Sequence, residues 1–400
     1  MKRKTLASAL ASAALALGGS AAAMPSADAA PAASHGRHAV RVCHSVPARG
    51  EANCHAMIMV NRDGSYPTST TPPSTALTPS QLQDAYNLDG LAPGGRTVAI
   101  VDAYGYPNLA RDLATYRSHW QLPACTTANG CLTIMNEYGG SSAPRTDVGW
   151  DQEQALDVDT VSAACPDCHI LVVQADTASI ADLGQAVITA SQQPGVVAIS
   201  NSYGAGDLPD STYGYYYDHP GIAVTASTGD DGYQGASYPA SSSYVTAVGG
   251  TSLTQASGTS RGWSETVWNG AGSGCSAYNA ALPGASGYDT GCNARAMADV
   301  SAAADPYYGG LAVYYPTSRR SSTWGQIGGT SESSPLIASV YALSGNTSGY
   351  ANNTPYAHPS ALFDVTNGSN GSCPTTQWCN ARSGWDGPTG LGTPNGTSAF

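Results

Sequence analysis

Thr97-Val98-Ala99-Ile100-Val101-Asp102 is the stretch on which the fold turns. Five strand-forming residues run without polar alternation, follow a Gly94-Gly95 turn and close on an acid. A run of this kind suits a strand covered on both faces, as in a parallel sheet. Further short apolar runs lie downstream: His169 to Val173, Val196 to Ser200, Gly221 to Ala226 and Tyr244 to Val248. Between them lie stretches with helical spacing. Asn108 to Trp120 repeats Leu109, Leu113, Tyr116 and Trp120; Gln152 to Ala164 is a second; Ser179 to Ser191 carries Leu183, Ala186, Val187 and Ile188. Upstream, Thr78-Pro79-Ser80 starts a helix through Tyr86. The alternation predicts an α/β fold, a parallel sheet with helices on both faces. Functional residues then belong at the carboxyl ends of strands and in the loops that follow. Ser252 to Trp324 reads as turn-rich, suited to the walls of a binding cleft.

The first residues carry an export pattern: basic Lys2, Arg3 and Lys4, an Ala/Leu-rich run from Leu6 to Ala23, and Ala27-Asp28-Ala29 as a cleavage site. Residues 1–29 are thus expected to be a signal peptide and the protein to be secreted, extracellular and a monomer. Residues 30–78 are Pro/Ser/Thr-rich and read as a short appendage and linker; residues 79–400 read as the main domain. Loss of the signal would take the net charge from −12 to −14, and no lysine follows Lys4. So acidic a chain is not expected to bind nucleic acid or a membrane surface. The ten cysteines fall into sequential neighbours, 43/54, 125/131, 165/168, 275/292 and 373/379. In an exported chain these point to disulfides, with local pairing the simplest connectivity. Cys165-Pro166-Asp167-Cys168 also has zinc-knuckle or redox spacing, but no second CxxC accompanies it.

Three stretches carry candidate chemistry. Gly328-Gly329-Thr330-Ser331-Glu332-Ser333-Ser334-Pro335 precedes an apolar helical run, Leu336 to Leu343. Small residues permit a sharp turn, and a helix starting near Ser331 would aim free N–H groups at its surroundings. That serves an acyl-transfer nucleophile, and equally a Ser/Thr-rich helix cap. Histidine is the usual base for such a serine, yet none of the eight histidines lies in a matching motif. Trp150-Asp151-Gln152-Glu153-Gln154-Ala155-Leu156-Asp157 instead places two acids four apart, on one helix face. There they repel and favour a shared proton, unless the face is simply solvated. Ala226-Ser227-Thr228-Gly229-Asp230-Asp231-Gly232 follows a strand; a protonated carboxyl there could donate to an oxyanion, though Asp-Gly turns are common.

In this order, Glu153/Asp157, then Asp230, then Ser331, the chain resembles the sedolisin family of serine-carboxyl peptidases. The resemblance implies a subtilisin-like fold, three-layer α/β/α. It carries nucleophile to Ser331, general base to Glu153, orienting acid to Asp157 and oxyanion acid to Asp230. Substrates would be proteins or peptides, cleaved at acidic pH. A further stretch, Asp364-Val365-Thr366-Asn367-Gly368 with Ser383-Gly384-Trp385-Asp386-Gly387, resembles the family's C-terminal calcium site. That implies one structural Ca2+ held by the Asp364 and Asp386 side chains and the carbonyls of Val365, Arg382 and Gly384. Ser200 to Gly204 resembles a wall of the specificity pocket. There are departures. The turn reads STGDDG, with Asp231 beside Asp230, and a short appendage stands where the family commonly has a large pro-domain. Two alternatives remain: a non-catalytic binding protein of the same fold, and a histidine-dependent hydrolase using Asp102 at the end of the first core strand.

Overall fold

Val98, Ala99, Ile100 and Val101 are each fully buried, as the unbroken apolar run requires. Their strand, β1 (Thr97–Ala103), is a central strand of the main sheet in this computed structural model, which describes Met1 and residues 36–43, 50–346 and 348–400. The export pattern lies outside the described residues, apart from Met1. Arg37–Phe400 form one compact unit.

The other sheet strands, in chain order, are β2 (Leu132–Asn136), β3 (His169–Ala175), β4 (Val196–Asn201), β5 (Ala223–Ser227), β6 (Thr246–Gln255), β7 (Trp263–Val267) and β8 (Val300–Ala303). In space they run β7-β6-β5-β4-β1-β3-β2, with β8 also paired to β6. All pairs are parallel except β6 with β7. The chain order reverses around β1, which lies between β3 and β4, so a crevice opens at the carboxyl ends there. Asp102 sits at that end of β1, Ser202 follows β4, and Asp230 follows β5.

Five helices matter here: α1 (Pro79–Tyr86), α2 (Leu109–His119), α3 (Val148–Ala164), α4 (Ile180–Ser191) and α5 (Thr330–Ser344). Helix α1 starts where expected, with Thr78 and Gln81 in a reciprocal capping box. Helix α3 starts a turn earlier than Gln152, because Asp147 accepts from the N–H groups of Gly149 at 3.0 Å and Trp150 at 3.2 Å. Helices α3 and α5 pack against one another and are buried almost throughout. Helices buried on every side lie between layers of a domain.

The region from Ser252 to Trp324 is more regular than its turn-rich composition implied. It holds β7, β8, the strand Leu311–Ser318 and the start of its antiparallel partner Ser321–Gly328. The division at residue 78 also needs correction. Strands Arg37–Arg41 and Met57–Asn61 pair with each other, and the second pairs with Ser321–Gly328. Residues 37–78 are therefore part of the main unit, held by backbone hydrogen bonds that Pro/Ser/Thr-rich composition does not reveal. All five cysteine pairs are disulfides between sequential neighbours, so Cys165 and Cys168 are bonded to each other and not to zinc.

Candidate active site

Ser331 is the second residue of α5, directly after strand Ser321–Gly328. The turn between them is Gly329, at φ +105°, where side-chain-bearing residues are strained. A Cβ at Gly329 would also lie 2.3 Å from His55 O and 2.6 Å from Asp230 Oδ2, so only glycine lets both approach. Four residues beyond Ser331, Pro335 has no N–H to give the Ser331 carbonyl. That carbonyl faces the Ser202 hydroxyl at 3.3 Å instead. The cap reading of the stretch fails: the N-cap residue is Gly329, which has no side chain, so none of the local Ser or Thr residues is the N-cap.

Glu153 and Asp157 project from α3 and are both completely buried, so the solvated-face reading of the pair fails as well. Asp157 Oδ1 accepts from Ser202 Oγ at 2.8 Å, which orients it. The Ser331 hydroxyl donates to Ser202 O at 3.1 Å. Neither Glu153 oxygen accepts a hydrogen bond of ordinary geometry, yet Ser331 is close enough to pull the Glu153 pKa down against a larger rise. That rise comes first from burial, then from Asp157 and Asp102. Burial lifts Asp157 likewise, with the Ser202 hydroxyl opposing. Asp102 is fully buried with both oxygens unpartnered, and its pKa is raised by burial and by Asp157. Three buried carboxyls thus lie close enough to couple, and they cannot all ionise together.

Asp230 closes the other side. Its Oδ1 accepts from Thr330 N at 2.8 Å and Thr330 Oγ1 at 2.9 Å, which ties the β5 loop to the start of α5. Its Oδ2 is buried and unpartnered. Burial raises its pKa to about 7, against the Thr330 donors and Arg41. Below that pH, Oδ2 carries a proton that it can donate. Its neighbour Asp231 points away and forms an exposed ion pair with Arg41.

The C-terminal loops bring Asp364 and Asp386 together. Asp386 is buried; its Oδ1 accepts from Thr389 N at 3.0 Å and Thr389 Oγ1 at 2.7 Å, and its Oδ2 from Arg382 N at 3.2 Å. Asp364 Oδ2 accepts from Gly384 N at 2.9 Å. Burial lifts the Asp386 pKa to about 7, and the Asp364 charge adds to the rise. Two neighbouring carboxylates suit a hard divalent cation, but the partners these two have are backbone N–H groups and the Thr389 hydroxyl rather than carbonyl oxygens. Among the described residues, no group of three or more His, Cys, Asp or Glu side chains converges for a metal. Any calcium here would therefore rely on carbonyl oxygens beside the two aspartates.

The sequence profile of the Subtilase family matches residues 140–364, more than half the chain and the span from just before α3 to Asp364. The chain belongs to the subtilase family, in its sedolisin branch. It is 30% identical to kumamolisin of Bacillus sp. (strain MN-32) over 361 residues, 80% of this chain and 62% of that one. It is 26% identical to sedolisin of Pseudomonas sp. (strain 101) over 388 residues, 85% of this chain and 63% of that one. It therefore spans about three fifths of the length of these relatives. A solved structure of Pseudomonas sedolisin, a serine-carboxyl proteinase complexed with two molecules of pseudo-iodotyrostatin, superposes with a TM-score of 0.67 at 24% identity, covering 81% of this chain and 96% of that one. That likeness bears out the subtilisin-like α/β fold.

In this sedolisin-family chain the structure also assembles residues that sequence reasoning passed over. Ser202 was read only as part of a pocket wall; it holds Asp157 and faces Ser331 through both its hydroxyl and its carbonyl. His55 was assigned to the appendage, yet its carbonyl accepts from Ser331 N at 2.9 Å. Its imidazole Nδ1 lies 2.8 Å from Ser227 Oγ, and burial lowers its pKa to about 3. The ring is engaged with Ser227 and not with the Ser331 hydroxyl, so it does not supply the missing histidine base. The pairing of Met57 with Gly328 brings His55 here, and no local motif announces it.

Proposed function

We propose that this chain is a secreted serine-carboxyl peptidase that hydrolyses peptide bonds of proteins and peptides at acidic pH. The observation that carries the reading is the convergence of Glu153 and Asp157, both buried, on Ser331 at the start of a buried helix, with Asp230 bonded to the residue before the serine. Ser331 attacks the scissile carbonyl while Glu153 takes its proton. Asp157, fixed by Ser202, holds Glu153 and shares its proton load. The Ser331 N–H and the protonated Asp230 carboxyl receive the oxyanion. An acyl-enzyme forms on Ser331 and water releases it. Five disulfides support an extracellular setting. One structural Ca2+ would be held by the Asp364 and Asp386 side chains with the carbonyls of Val365, Arg382 and Gly384, and its charge would tie the C-terminal loops together, away from Ser331.

The test is turnover of a mixed peptide library by the wild-type chain and by Ser331→Ala, after incubation at acidic pH. Wild-type turnover should be highest in acid and fall towards neutral pH, and Ser331→Ala should show none. Equal turnover by both proteins, or a maximum at alkaline pH, would overturn the proposal.

A further inference from the structure

The turn that carries Asp230 is held from behind by a residue far along the chain. After β5 the chain passes through Thr228-Gly229-Asp230-Asp231-Gly232. Both glycines of this turn are bonded to the loop after β7: Gly272 N donates to Gly229 O at 2.8 Å, and Gly232 N donates to Gly270 O at 2.8 Å. The backbones meet too closely for side chains between them. A Cβ at Gly272 would stand 2.1 Å from Thr228 O, and one at Gly232 would stand 2.4 Å from Asn370 O. The Asp230 turn therefore moves with residues 270–272.

Asn370 is buried and joins both loops at once. Its carbonyl accepts from Tyr233 N at 3.1 Å, just past the Asp230 turn. Its Nδ2 donates to Ala271 O at 2.6 Å and to Ser273 Oγ at 2.8 Å. The Ser273 hydroxyl gives its own proton to Trp378 O at 2.6 Å, so towards Asn370 it can only accept. The place thus calls for a side chain with two protons to donate, and an amide supplies them. Asn370 itself stands at the foot of the loop that Cys373 and Cys379 close, where its N–H donates to Cys379 O at 3.0 Å. Trp378 of that loop stacks on Tyr233, with ring centroids 6.4 Å apart and planes 21° from parallel.

Thr330 grips the Asp230 carboxyl from the other side, but through Oδ1 only. Oδ2 is the oxygen that must face the oxyanion, and a reacting group has to be held to within about 0.5 Å. The position of the turn supplies that control. We infer that Asn370 is a positioning residue for the reaction: through Ala271, Ser273 and Tyr233 it sets the turn that aims Asp230 Oδ2. The inference rests on the peptidase reading above. Loss of the Asn370 amide strips two buried acceptors of their donor and loosens the turn. Water then reaches Oδ2, the charged form is less disfavoured, and the Asp230 proton is lost at lower pH. The charged and titratable groups around Asp230 are Arg41 on the strand Arg37–Arg41, His55, Glu153 on α3 and the adjacent Asp231. All four are common to the proteins compared in the test.

The first readout needs no turnover. In full-length Ser331→Ala with carbon-13 in its aspartates, the Asp230 signal is assigned by its loss in Ser331→Ala/Asp230→Asn and titrated from pH 3 to pH 8. Adding Asn370→Ala should lower its midpoint by about one pH unit. An unmoved midpoint in the folded variant overturns the inference, whatever the protein does to peptides. If Asn370→Ala does not fold, Ser273→Ala decides: it removes one of the two acceptors and should move the midpoint the same way, and no movement overturns the inference. The second readout is peptide turnover with the serine in place. Asn370→Ala should lower kcat/KM about fivefold near pH 7 and hardly at all near pH 4, because only the alkaline limb shifts. In the Asp230→Asn protein the same change should leave the pH profile where it is. An even loss at every pH, or the same shift without Asp230, overturns the inference and leaves the peptidase reading intact. A wild-type chain with no turnover at any pH sinks the peptidase reading, and the role of Asn370 in the reaction falls with it.

Discussion

Replacing Asp230 by asparagine should remove a pH-dependent part of the protein's stability. In the folded chain Asp230 has a pKa of about 7 against an ordinary 3.8, because burial disfavours the charged form. A raised acid means that the folded state binds the proton more tightly than the unfolded one. Stability is therefore complete below about pH 4, falls as pH rises, and levels off above pH 7. A displacement of roughly three pH units corresponds to about 4 kcal/mol. Spread over the roughly 360 residues of the unit Arg37–Phe400, that is on the order of 5 °C in Tm. Asparagine keeps an oxygen for Thr330 N and Oγ1 and places an uncharged donor where Oδ2 stands. The assay is thermal melting of Ser331→Ala and Ser331→Ala/Asp230→Asn from pH 3 to pH 8, with the serine removed so that neither chain can cut itself. The other buried carboxyls are common to both proteins and cancel in the difference. The double variant should match its parent near pH 3 and exceed it by about 5 °C above pH 7. A difference that is constant across the range, or that shrinks as pH rises, would refute the reasoning.

Glu153→Gln keeps the shape of the buried base but cannot take a proton, so kcat should fall on the order of 10⁴-fold with the far-UV circular dichroism unchanged. Ser202→Ala strips Asp157 of its 2.8 Å hydrogen bond. A bond to a carboxylate is worth roughly 1.5–3 kcal/mol, so kcat should fall about tenfold to a hundredfold, with KM nearly constant in steady-state assays. A chelator should lower Tm by a few degrees: a cation held at 100 times its Kd contributes about 2.7 kcal/mol. Asp386→Ala should abolish the chelator effect, and an unchanged effect would remove calcium from that loop.

Legibility in the sequence followed the range of the interactions. Unbroken runs such as Thr97 to Val101 marked buried parallel strands, because nothing else tolerates apolar residues on both sides. The carboxyl ends of those strands then located Ser202 and Asp230 without knowledge of any contact. The ExxxD spacing on α3 placed Glu153 and Asp157 together because a helix turn is local. What failed was long-range. The strand Met57–Asn61 gains its place from a ladder to Ser321–Gly328, and its sequence reads only as part of the Pro/Ser/Thr-rich stretch 30–78. The same non-local pairing put His55 against Ser331, and no spacing rule anticipates it. Ser202 was visible as a position but not as a partner, since its role depends on α3 and α5 packing over β4.

The proposed mechanism uses a carboxylate base, which poses a problem that a histidine base does not. A histidine must be neutral to accept a proton, and burial favours its neutral form. Glu153 must be charged to accept one, and burial opposes that charge. The fold meets the difficulty by proximity: with Glu153, Asp157 and Asp102 in one space, a single negative charge can be spread over the group while the remaining protons stay bound. The start of α5 supports that charge, since the positive end of a buried helix lies beside it. Asp230 cannot join this sharing, because it stands across the site, bonded to Thr330. Above pH 7 its proton is lost, and a second negative charge then borders the space where the oxyanion must form. The donor becomes a repelling acceptor. In the proposed mechanism acid dependence therefore originates at Asp230 and not at the base, so Asp230→Asn should carry activity to higher pH even as Glu153 keeps its role.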